Sequence, residues 1–278
     1  MPTLPAPIII KNRLGDDVWI HTFIAAFTDN NIANSTHIIE SNNVLVLIDG
    51  QFLSTYATQF REYADSLGKP IDRLYLSHRH PDHWFGLGTA FRDVPIYALK
   101  ETITFLRTDG EASRLDHVES LIKLGDHVPD EVVIPENVVR PGVASIDGIT
   151  YVFDNVIDTE IDFLLTIRLP DLKVYIPQDL IYSGTHLYLT KEMKRWITVL
   201  DSMLNSNYEL FLPGHGRPAG KEEVFNNMEY LTAAQHAYDS GLKDADFKQF
   251  LLDRYPARLC PGVFDIYVPR LFDGASDY

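Results

Sequence analysis

The spacing of apolar residues along the first part of the chain predicts short strands separated by helices. Residues 18–27 and 35–41 are strand-like, and the run Asp29-Asn30-Asn31 between them has turn chemistry. Residues 44–49 are almost continuously apolar up to a final aspartate, which is typical of a strand buried on both faces. Residues 54–67 carry apolar side chains at helical spacing, so a helix is predicted there.

The rest of the chain continues this alternation of strands and helices. Strands are predicted over residues 74–77, 96–98, 149–153, 163–169, 174–176 and 210–212. Helices are predicted around residues 87–91, 101–128, 191–204 and 222–240, and a loop over residues 129–141. The pattern alone indicates a mixed α and β protein without internal repeats, and we expect one domain over residues 1–278.

Directly after the predicted strand 74–77, the chain reads His-Arg-His-Pro-Asp-His. Alternate side chains of an extended segment share a face, so His78 and His80 can bind one ion together. The proline ends the strand, and the turn directs Asp82 and His83 toward a second position nearby. Neutral imidazole and carboxylate groups are the ligands that zinc and similar divalent ions accept. This segment therefore predicts a metal site.

The hexapeptide is the His-x-His-x-Asp-His signature of the metallo-β-lactamase superfamily, which the chain resembles at three further places. Asp49 ends a buried strand, Asp179 follows a later strand, and His215 lies in a Pro-Gly-His-Gly loop after another. Four motifs in the superfamily's order make the resemblance specific. It implies an α/β fold, an αββα sandwich of two mixed sheets with helices on the outer faces and the metals at the rim where strands end.

One histidine that the superfamily usually supplies to the first metal is missing from this chain. The corresponding loop, residues 157–163, contains no histidine. The alkylsulfatase branch of the superfamily has a glutamate there, in a Thr-Glu pair, and Thr159-Glu160 is similar to it. This likeness assigns Glu160 to the vacant position. Asp162 and Asp158 remain open as alternatives, as does a solvated acidic loop beside a one-metal or degraded site.

The resemblance implies a dinuclear site that uses a metal-bridging hydroxide, whose pKa the two ions lower while they polarise the substrate oxygen. Zinc is the expected metal, and the additional carboxylate leaves manganese or iron open. The implied ligands are His78, His80 and Glu160 for the first ion, Asp82, His83 and His215 for the second, and Asp179 for both.

The resemblance also suggests roles for residues around the ligands. Asp49 is expected to hydrogen-bond the ligand loop rather than contact a metal. The alkylsulfatases have a histidine in the segment that matches His186, so His186 joins Asp82 and Asp179 as a candidate catalytic residue, acting as proton donor or anion contact. A histidine whose hydrogen bonds are satisfied within a loop is an equally good interpretation of His186.

Substrate contacts are harder to predict than metal ligands. Trp84 and Tyr182 adjoin ligand segments and could form an apolar wall, although aromatic residues in such places more often serve packing. Residues 101–141 are longer than a connection requires. We expect this segment to cover the metal cleft, with Phe105 and Leu106 as candidate lining residues, and an external helix is the alternative.

Composition narrows the choice of partners and compartment. Only 24 Lys and Arg stand against 39 Asp and Glu, a formal net charge of −15, and this weighs against a nucleic-acid-binding role. The lone cysteine, Cys260, allows no internal disulfide and is expected to serve packing. No secretion signal or run of ~18 apolar residues is visible, so a cytoplasmic protein without a membrane partner is expected.

The sequence therefore predicts a metal-dependent hydrolase of a small-molecule ester, lactone, thioester or sulfate ester. A sulfatase is suggested by Thr159-Glu160, but full-length alkylsulfatases carry further domains that 278 residues cannot contain. The diiron flavoprotein branch is disfavoured because Arg79 occupies the place of its acidic residue. A mononuclear iron dioxygenase-like or non-catalytic member of the same fold is the alternative, and the sequence predicts no oligomeric state.

Overall fold

The computed structural model describes residues 4–15, 17–25, 33–123, 126, 129 and 131–273. Within these residues the chain forms two β-sheets that pack face to face and carry helices on their outer faces. The predicted turn at residues 29–31 and the end of the first predicted strand lie outside the described residues. None of the helices in the described part is both long and apolar enough to cross a membrane.

The first sheet has seven strands, which follow one another in chain order across the sheet. The first four are antiparallel neighbours and the last four are parallel neighbours, so the sheet is mixed. Its strands are Ile8–Arg13 (β1), Trp19–Ile24 (β2), Ser35–Glu40 (β3), Leu45–Ile48 (β4), Ile71–Leu76 (β5), Ile96–Leu99 (β6) and Asn137–Val139 (β7).

The second sheet has five strands in the order β12-β11-β10-β9-β8. Its neighbours are antiparallel except β11 and β12, which are parallel, so this sheet is mixed as well. Its strands are Gly142–Ile146 (β8), Ile149–Ile157 (β9), Phe163–Leu169 (β10), Val174–Ser183 (β11) and Leu210–Gly216 (β12).

Helices cover both outer faces, which confirms the predicted αββα sandwich. α1, α3 and α4 pack on the first sheet, and α7 to α10 pack on the second. The helices are Ser54–Ser66 (α1), Pro81–Trp84 (α2), Leu87–Ala90 (α3), Lys100–Thr108 (α4), Gly110–Asp116 (α5), Val118–Lys123 (α6), Met193–Leu204 (α7), Lys221–Asp239 (α8), Asp244–Arg254 (α9) and Val263–Asp273 (α10).

Strand β4 shows why a continuous apolar run was needed in the middle of this fold. Leu45 and Leu47 point into the core between the first sheet and its helices, whereas Val46 and Ile48 point into the core between the two sheets. Successive side chains of a strand face opposite sides, so a strand covered on both faces must be apolar at every position. Each such fully buried side chain contributes roughly 2 kcal/mol.

The structure departs from the predicted elements at the edges of the sheets and at the C-terminus. Residues 101–128 were predicted as one helical segment, and their described part forms α4, α5 and α6. The predicted loop 129–141 contains the edge strand β7. Edge strands β1 and β8 and the helices α9 and α10 were not predicted, because weakly patterned segments such as these become ordered through pairing and packing.

Candidate metal centre

Four separate segments bring the predicted ligand side chains together at one rim of the sandwich. They are the residues after β5, the turn between β9 and β10, the middle of β11 and the end of β12. Their donor atoms form two groups, each with all its atoms within 4.8 Å of one another, that could hold a metal ion. The first group is His78, His80, Glu160 and Asp179, and the second is Asp82, His83, Asp179 and His215.

The first group is arranged around the histidines that follow β5. The Nε2 atom of His78 lies 3.0 Å from Nδ1 of His80, and that Nδ1 lies 3.2 Å from Oε1 of Glu160. Asp179 completes the group, with its Oδ2 atom 3.5 Å from Nε2 of His78. Three protein segments therefore supply one compact set of two imidazoles and two carboxylates.

The second group shares Asp179 with the first. The Nε2 atom of His83 lies 3.3 Å from Oδ1 of Asp179 and 3.3 Å from Oδ2 of Asp82. The Nε2 atom of His215 lies 3.1 Å from Oδ2 of Asp179 and 3.5 Å from Oδ2 of Asp82. Asp179 thus presents both of its carboxylate oxygens to imidazoles of the second group while it contacts His78 of the first.

Buried atoms without partners show that the donor groups fit metal ions. His83 Nε2, Glu160 Oε2 and Asp179 Oδ1 are buried and have no hydrogen-bond partner. Each such atom costs about 1–3 kcal/mol when nothing satisfies it. All three belong to the two donor groups, so a cation bound there would satisfy them together. An imidazole and carboxylate donor set is suited to zinc and to other divalent ions of similar size.

Hydrogen bonds outside the groups fix which nitrogen of each imidazole can bind a metal. Asp49 accepts from the backbone N–H and the hydroxyl of Ser77, at 2.7 Å each, and from Nδ1 of His83 at 2.7 Å. Since the Ser77 hydroxyl donates to Asp49, it accepts from Nδ1 of His78, at 2.8 Å. In both histidines Nδ1 carries the proton, and the lone pair of Nε2 faces the donor group. Asp49 therefore has the supporting position that was predicted for it.

Asp179 lies within a strand rather than after it, which corrects the prediction from the sequence. Strand β11 continues to Ser183, and its pairing with β12 changes register on both sides of Gln178. Gln178 has a φ of 48°, in the left-handed region, and its side-chain amide donates to Asp49. Pro177, Gln178 and Asp179 interrupt the apolar run of β11 at this irregularity, which is why the strand seemed to stop at residue 176.

Gly214 is required by the close approach of Asp179. A Cβ atom at this position would lie 1.8 Å from Oδ1 of Asp179, a distance that no side chain can tolerate. The glycine before His215 thus lets the end of β12 pass directly beside the carboxylate that both donor groups share. This contact gives a physical reason for the Pro-Gly-His-Gly motif.

Glu160 is the carboxylate of the turn between β9 and β10 that lies in the first donor group. It is 1% exposed. The two alternatives face solvent instead: Asp158 is exposed, and the side chain of Asp162 is 68% exposed and pairs with Arg79 at 3.3 Å. Burial raises the pKa of Glu160, against the opposing effect of the His80 imidazole.

Burial and neighbouring charges set the protonation of the other donors. Burial lowers the pKa of His78 well below its usual range, so its imidazole is neutral. Burial alone would raise the pKa of Asp179, but the neighbouring imidazoles of His83 and His215 outweigh it and keep that carboxyl ionised. Against the effect of burial, the Asp179 and Asp82 carboxylates raise the pKa values of His83 and His215. Metals bind the neutral imidazole, so metal binding would release these protons.

Tyr182 is a polar contact of the site, where the sequence suggested an apolar wall. Its hydroxyl donates to Oε1 of Glu160 at 3.3 Å and to Oδ2 of Asp179 at 3.4 Å. Its ring stacks on His215, with ring centroids 4.6 Å apart and planes 13° apart. Burial, reinforced by the two carboxylates, raises the pKa of Tyr182 well above its usual range, so the phenol keeps its proton.

The remaining predicted contacts lie mostly in the core. Trp84 is 1% exposed, donates to the Arg79 carbonyl and packs between the first sheet and its helices. Phe105 and Leu106 are buried in the same core, which corrects their prediction as cleft-lining residues. α4 is thus an external helix, although the Phe105 ring does contact the guanidinium of Arg79 at 5.3 Å.

His186 is outside both donor groups. Its Nδ1 atom lies 3.0 Å from the Tyr230 hydroxyl, and its ring packs against Phe264. Burial, together with the nearby charge of Arg258, lowers the pKa of His186 to about 4. These contacts join the loop after β11 to the C-terminal helices, and a catalytic role for His186 stays a prediction.

No family model matches the sequence, but individual proteins resemble it. The chain is 22% identical over 250 residues to a metallo-β-lactamase type 2 from Bacillus sp. (strain 170), a match that covers 81% of this chain and 86% of that protein. The fold resembles the metallo-β-lactamase FIM-1 from Pseudomonas aeruginosa in its mono-zinc form, with a TM-score of 0.60, 17% identity and coverage of 81% and 96% of the two chains.

An alkylsulfatase is also among the similar structures. A double mutant of the sec-alkyl sulfatase PisA1 matches with a TM-score of 0.60 and 18% identity over 85% of this chain, which spans 44% of that protein. The fold, the ordered motifs and these matches support the resemblance to the metallo-β-lactamase superfamily, and the two-sheet fold is that of its solved members. The first donor group of this chain contains a glutamate, Glu160.

Proposed function

We propose that this protein is a dinuclear metal-dependent hydrolase that acts on a small-molecule ester, lactone, thioester or sulfate ester. The observation that carries the proposal is the pair of donor groups that share Asp179. In this assignment His78, His80 and Glu160 would hold one ion, Asp82, His83 and His215 would hold the other, and Asp179 would contribute to both. When bound, two such ions lower the pKa of a water molecule and polarise the substrate oxygen, and zinc is the metal we expect.

The chain's own residues then orient and shield the reacting groups. Asp49 and Ser77 hold two imidazoles in one orientation, and Gly214 lets Asp179 approach its partners. Tyr182, which keeps its proton, donates to Glu160 and Asp179 and so limits the repulsion between these two buried carboxylates. The ring of the same tyrosine covers His215 and excludes water from that side.

Two observations support a dinuclear hydrolase over the mononuclear iron alternative. Both donor groups contain two imidazoles and two carboxylates, so each has enough donor atoms to hold a metal ion. The similar proteins are named as β-lactamases and a sulfatase, which are both hydrolases. Glu160 matches the sulfatase-like pattern, yet the chain spans less than half of that sulfatase, so we keep the substrate class broad.

A panel of substrates with defined metal content tests the proposal. Protein stripped with a chelator and reloaded with zinc, manganese or iron would be assayed on 4-nitrophenyl acetate, a thioester, a lactone, 4-nitrophenyl sulfate and a cephalosporin. We expect metal-dependent hydrolysis of at least one, lost in Asp179→Asn and kept in Asp171→Asn, a matched change at an exposed aspartate. Metal-independent activity, or oxygen consumption by the iron form without hydrolysis, would overturn it.

A further inference from the structure

Solvent reaches the two donor groups mainly at His80. Its side chain is 13% exposed and that of Asp82 is 10% exposed, whereas Glu160, His78 and His83 are fully enclosed. We therefore take the side of His80, the most exposed of the donor side chains, as the side on which a substrate approaches. Side chains that surround this imidazole are the first candidates for contacts with the part of the substrate that is not cleaved.

Tyr188 and Arg270 lie next to His80 on this side. The Tyr188 ring lies against the His80 ring, with centroids 5.3 Å apart. The Tyr188 hydroxyl accepts a hydrogen bond from Nη1 of Arg270 at 2.9 Å. Tyr188 follows β11, and Arg270 is in the last turns of α10. The helix α10 therefore places the Arg270 guanidinium beside Tyr188, which in turn contacts His80 of the first donor group.

Arg270 differs from the other two arginines around the site in its electrostatic partners. Arg79 pairs with Asp162, and Arg258 pairs with Glu223 and donates to two backbone carbonyls. No carboxylate of the described residues lies within ion-pair distance of Arg270, which is only partly buried. Its guanidinium is always charged and keeps N–H groups that can form a bidentate contact with a planar carboxylate.

We propose that Arg270, held in place by Tyr188, binds a carboxylate on the uncleaved part of the substrate. This inference rests on the proposed function, because it takes the scissile ester to lie at the donor groups beside His80. It narrows the substrate class to esters that also carry a free carboxylate, such as a monoester of a dicarboxylic acid. In a chain with a net charge of −15, a local cation of this kind gives an anionic substrate a defined point of attachment.

Binding of simple dicarboxylates tests the inference independently of catalysis. Calorimetric titration of the zinc-loaded protein would compare succinate, glutarate and adipate with the monocarboxylates of the same chain length. We expect at least one dicarboxylate to bind about tenfold more tightly than its matched monocarboxylate, which is the effect of one charge-assisted hydrogen bond. Arg270→Gln should abolish this preference, and Arg270→Lys should retain part of it.

Arg254→Ala is the matched control, since Arg254 also donates to a tyrosine hydroxyl, that of Tyr255, and contacts neither donor group. It should bind dicarboxylates as the parent protein does. The melting temperature of each variant shows whether it is folded, and Arg270→Gln is used because it keeps a donor for Tyr188 while it removes the charge.

Hydrolysis separates a failure of this inference from a failure of the proposed function. With 4-nitrophenyl hemiglutarate and 4-nitrophenyl valerate, Arg270→Gln should raise KM for the first ester and leave the second unchanged. A folded Arg270→Gln variant that keeps the dicarboxylate preference, or a parent protein without one, overturns the inference even if esters are hydrolysed. Dicarboxylate binding that depends on Arg270 without hydrolysis of either ester supports the inference and contradicts the proposed function.

Discussion

The Nδ1 atom of His83 lies 2.7 Å from Oδ2 of Asp49, and both side chains are completely buried. Because Asp49 also accepts two hydrogen bonds from Ser77, one carboxylate fixes the orientation of the loop that carries four of the donors. The charge on Asp49 favours the proton on Nδ1 and leaves Nε2 of His83 as the donor atom.

Asp49→Asn is therefore expected to weaken metal binding without unfolding the protein. An amide of the same shape cannot accept all the hydrogen bonds of the carboxylate. Loss of such a supporting partner typically lowers metal affinity by roughly 10–100-fold, and we expect a decrease of this size in zinc affinity. Competition with a chromophoric chelator measures that affinity. Asp171→Asn, at an exposed position, serves as the control. Unchanged affinity in Asp49→Asn would show that Asp49 has no influence on the donors.

Glu160→Gln is expected to lose one metal ion per chain. The change removes a negative charge from the first donor group, where Oε1 lies 3.2 Å from His80 and Oε2 has no hydrogen-bond partner. Glu160→His should retain both ions if the turn places the shorter imidazole close enough. Metal content after dialysis against a weak chelator measures both effects.

The controls for Glu160 are Asp158→Asn and Asp162→Asn, in the same turn but with exposed side chains. Both should keep the metal content of the parent protein. If Glu160→Gln holds both ions as firmly as the parent while Asp162→Asn loses one, the first donor group has been assigned to the wrong carboxylate.

Tyr182→Phe is expected to keep both metals but to lower the hydrolytic rate. The phenylalanine ring can preserve the stacking on His215, which has centroids 4.6 Å apart, but it cannot donate to Glu160 or Asp179. A hydrogen bond from a buried donor to a charged group contributes about 1.5–3 kcal/mol of interaction free energy, which the phenylalanine variant loses. Metal content and kcat measured on the same sample separate the two effects, and a rate equal to that of the parent would contradict this role of the hydroxyl.

The stability of the metal-free protein should fall in acid through His37, which joins the two sheets. Its Nε2 atom donates to the Pro213 carbonyl at 3.0 Å, and its Nδ1 atom accepts from the Thr22 hydroxyl at 3.0 Å. Burial lowers the pKa of His37 to about 4, whereas an unfolded histidine has a pKa of about 6.5. The unfolded state therefore binds the proton first, so this stability is present above pH ~6.5 and is lost as the pH falls toward ~4.

Chemical unfolding at several pH values measures this effect. Between pH ~6.5 and ~4, the free energy of unfolding should fall more for the parent protein than for His37→Gln. The expected difference is roughly 3 kcal/mol, from the difference between the folded and unfolded pKa values. His236→Gln, at an exposed histidine, should follow the parent protein. Parallel pH profiles of the parent and His37→Gln would refute the assignment.

The metal-donor residues could be predicted from the sequence because they lie in short motifs that are recognisable from neighbouring residues in the chain. His78 to His83 form one contiguous motif, and Asp179 and His215 lie beside apolar stretches of β11 and β12 that are visible without a structure. The β-sandwich followed from the resemblance carried by these motifs, since the spacing of apolar residues alone indicated only a mixed fold.

Residues that reach the site through tertiary packing could not be predicted in the same way. Tyr188 and Arg270 are 82 positions apart and meet only because α10 packs against the loop after β11. Tyr182 was identified, but its hydrogen bonds depend on the twist at Gln178, which no periodicity reveals. Phe105 and Leu106 were assigned to the cleft because an amphipathic helix does not show which surface it covers.

Metal stoichiometry tests the central claim most directly. The protein would be stripped with a chelator, reloaded with zinc, freed of excess metal by gel filtration and examined by elemental analysis and native mass spectrometry. Two donor groups that share Asp179 predict two zinc ions per chain, reduced to one or none in Asp179→Asn. One equivalent or less in the fully reloaded parent protein would contradict the dinuclear site.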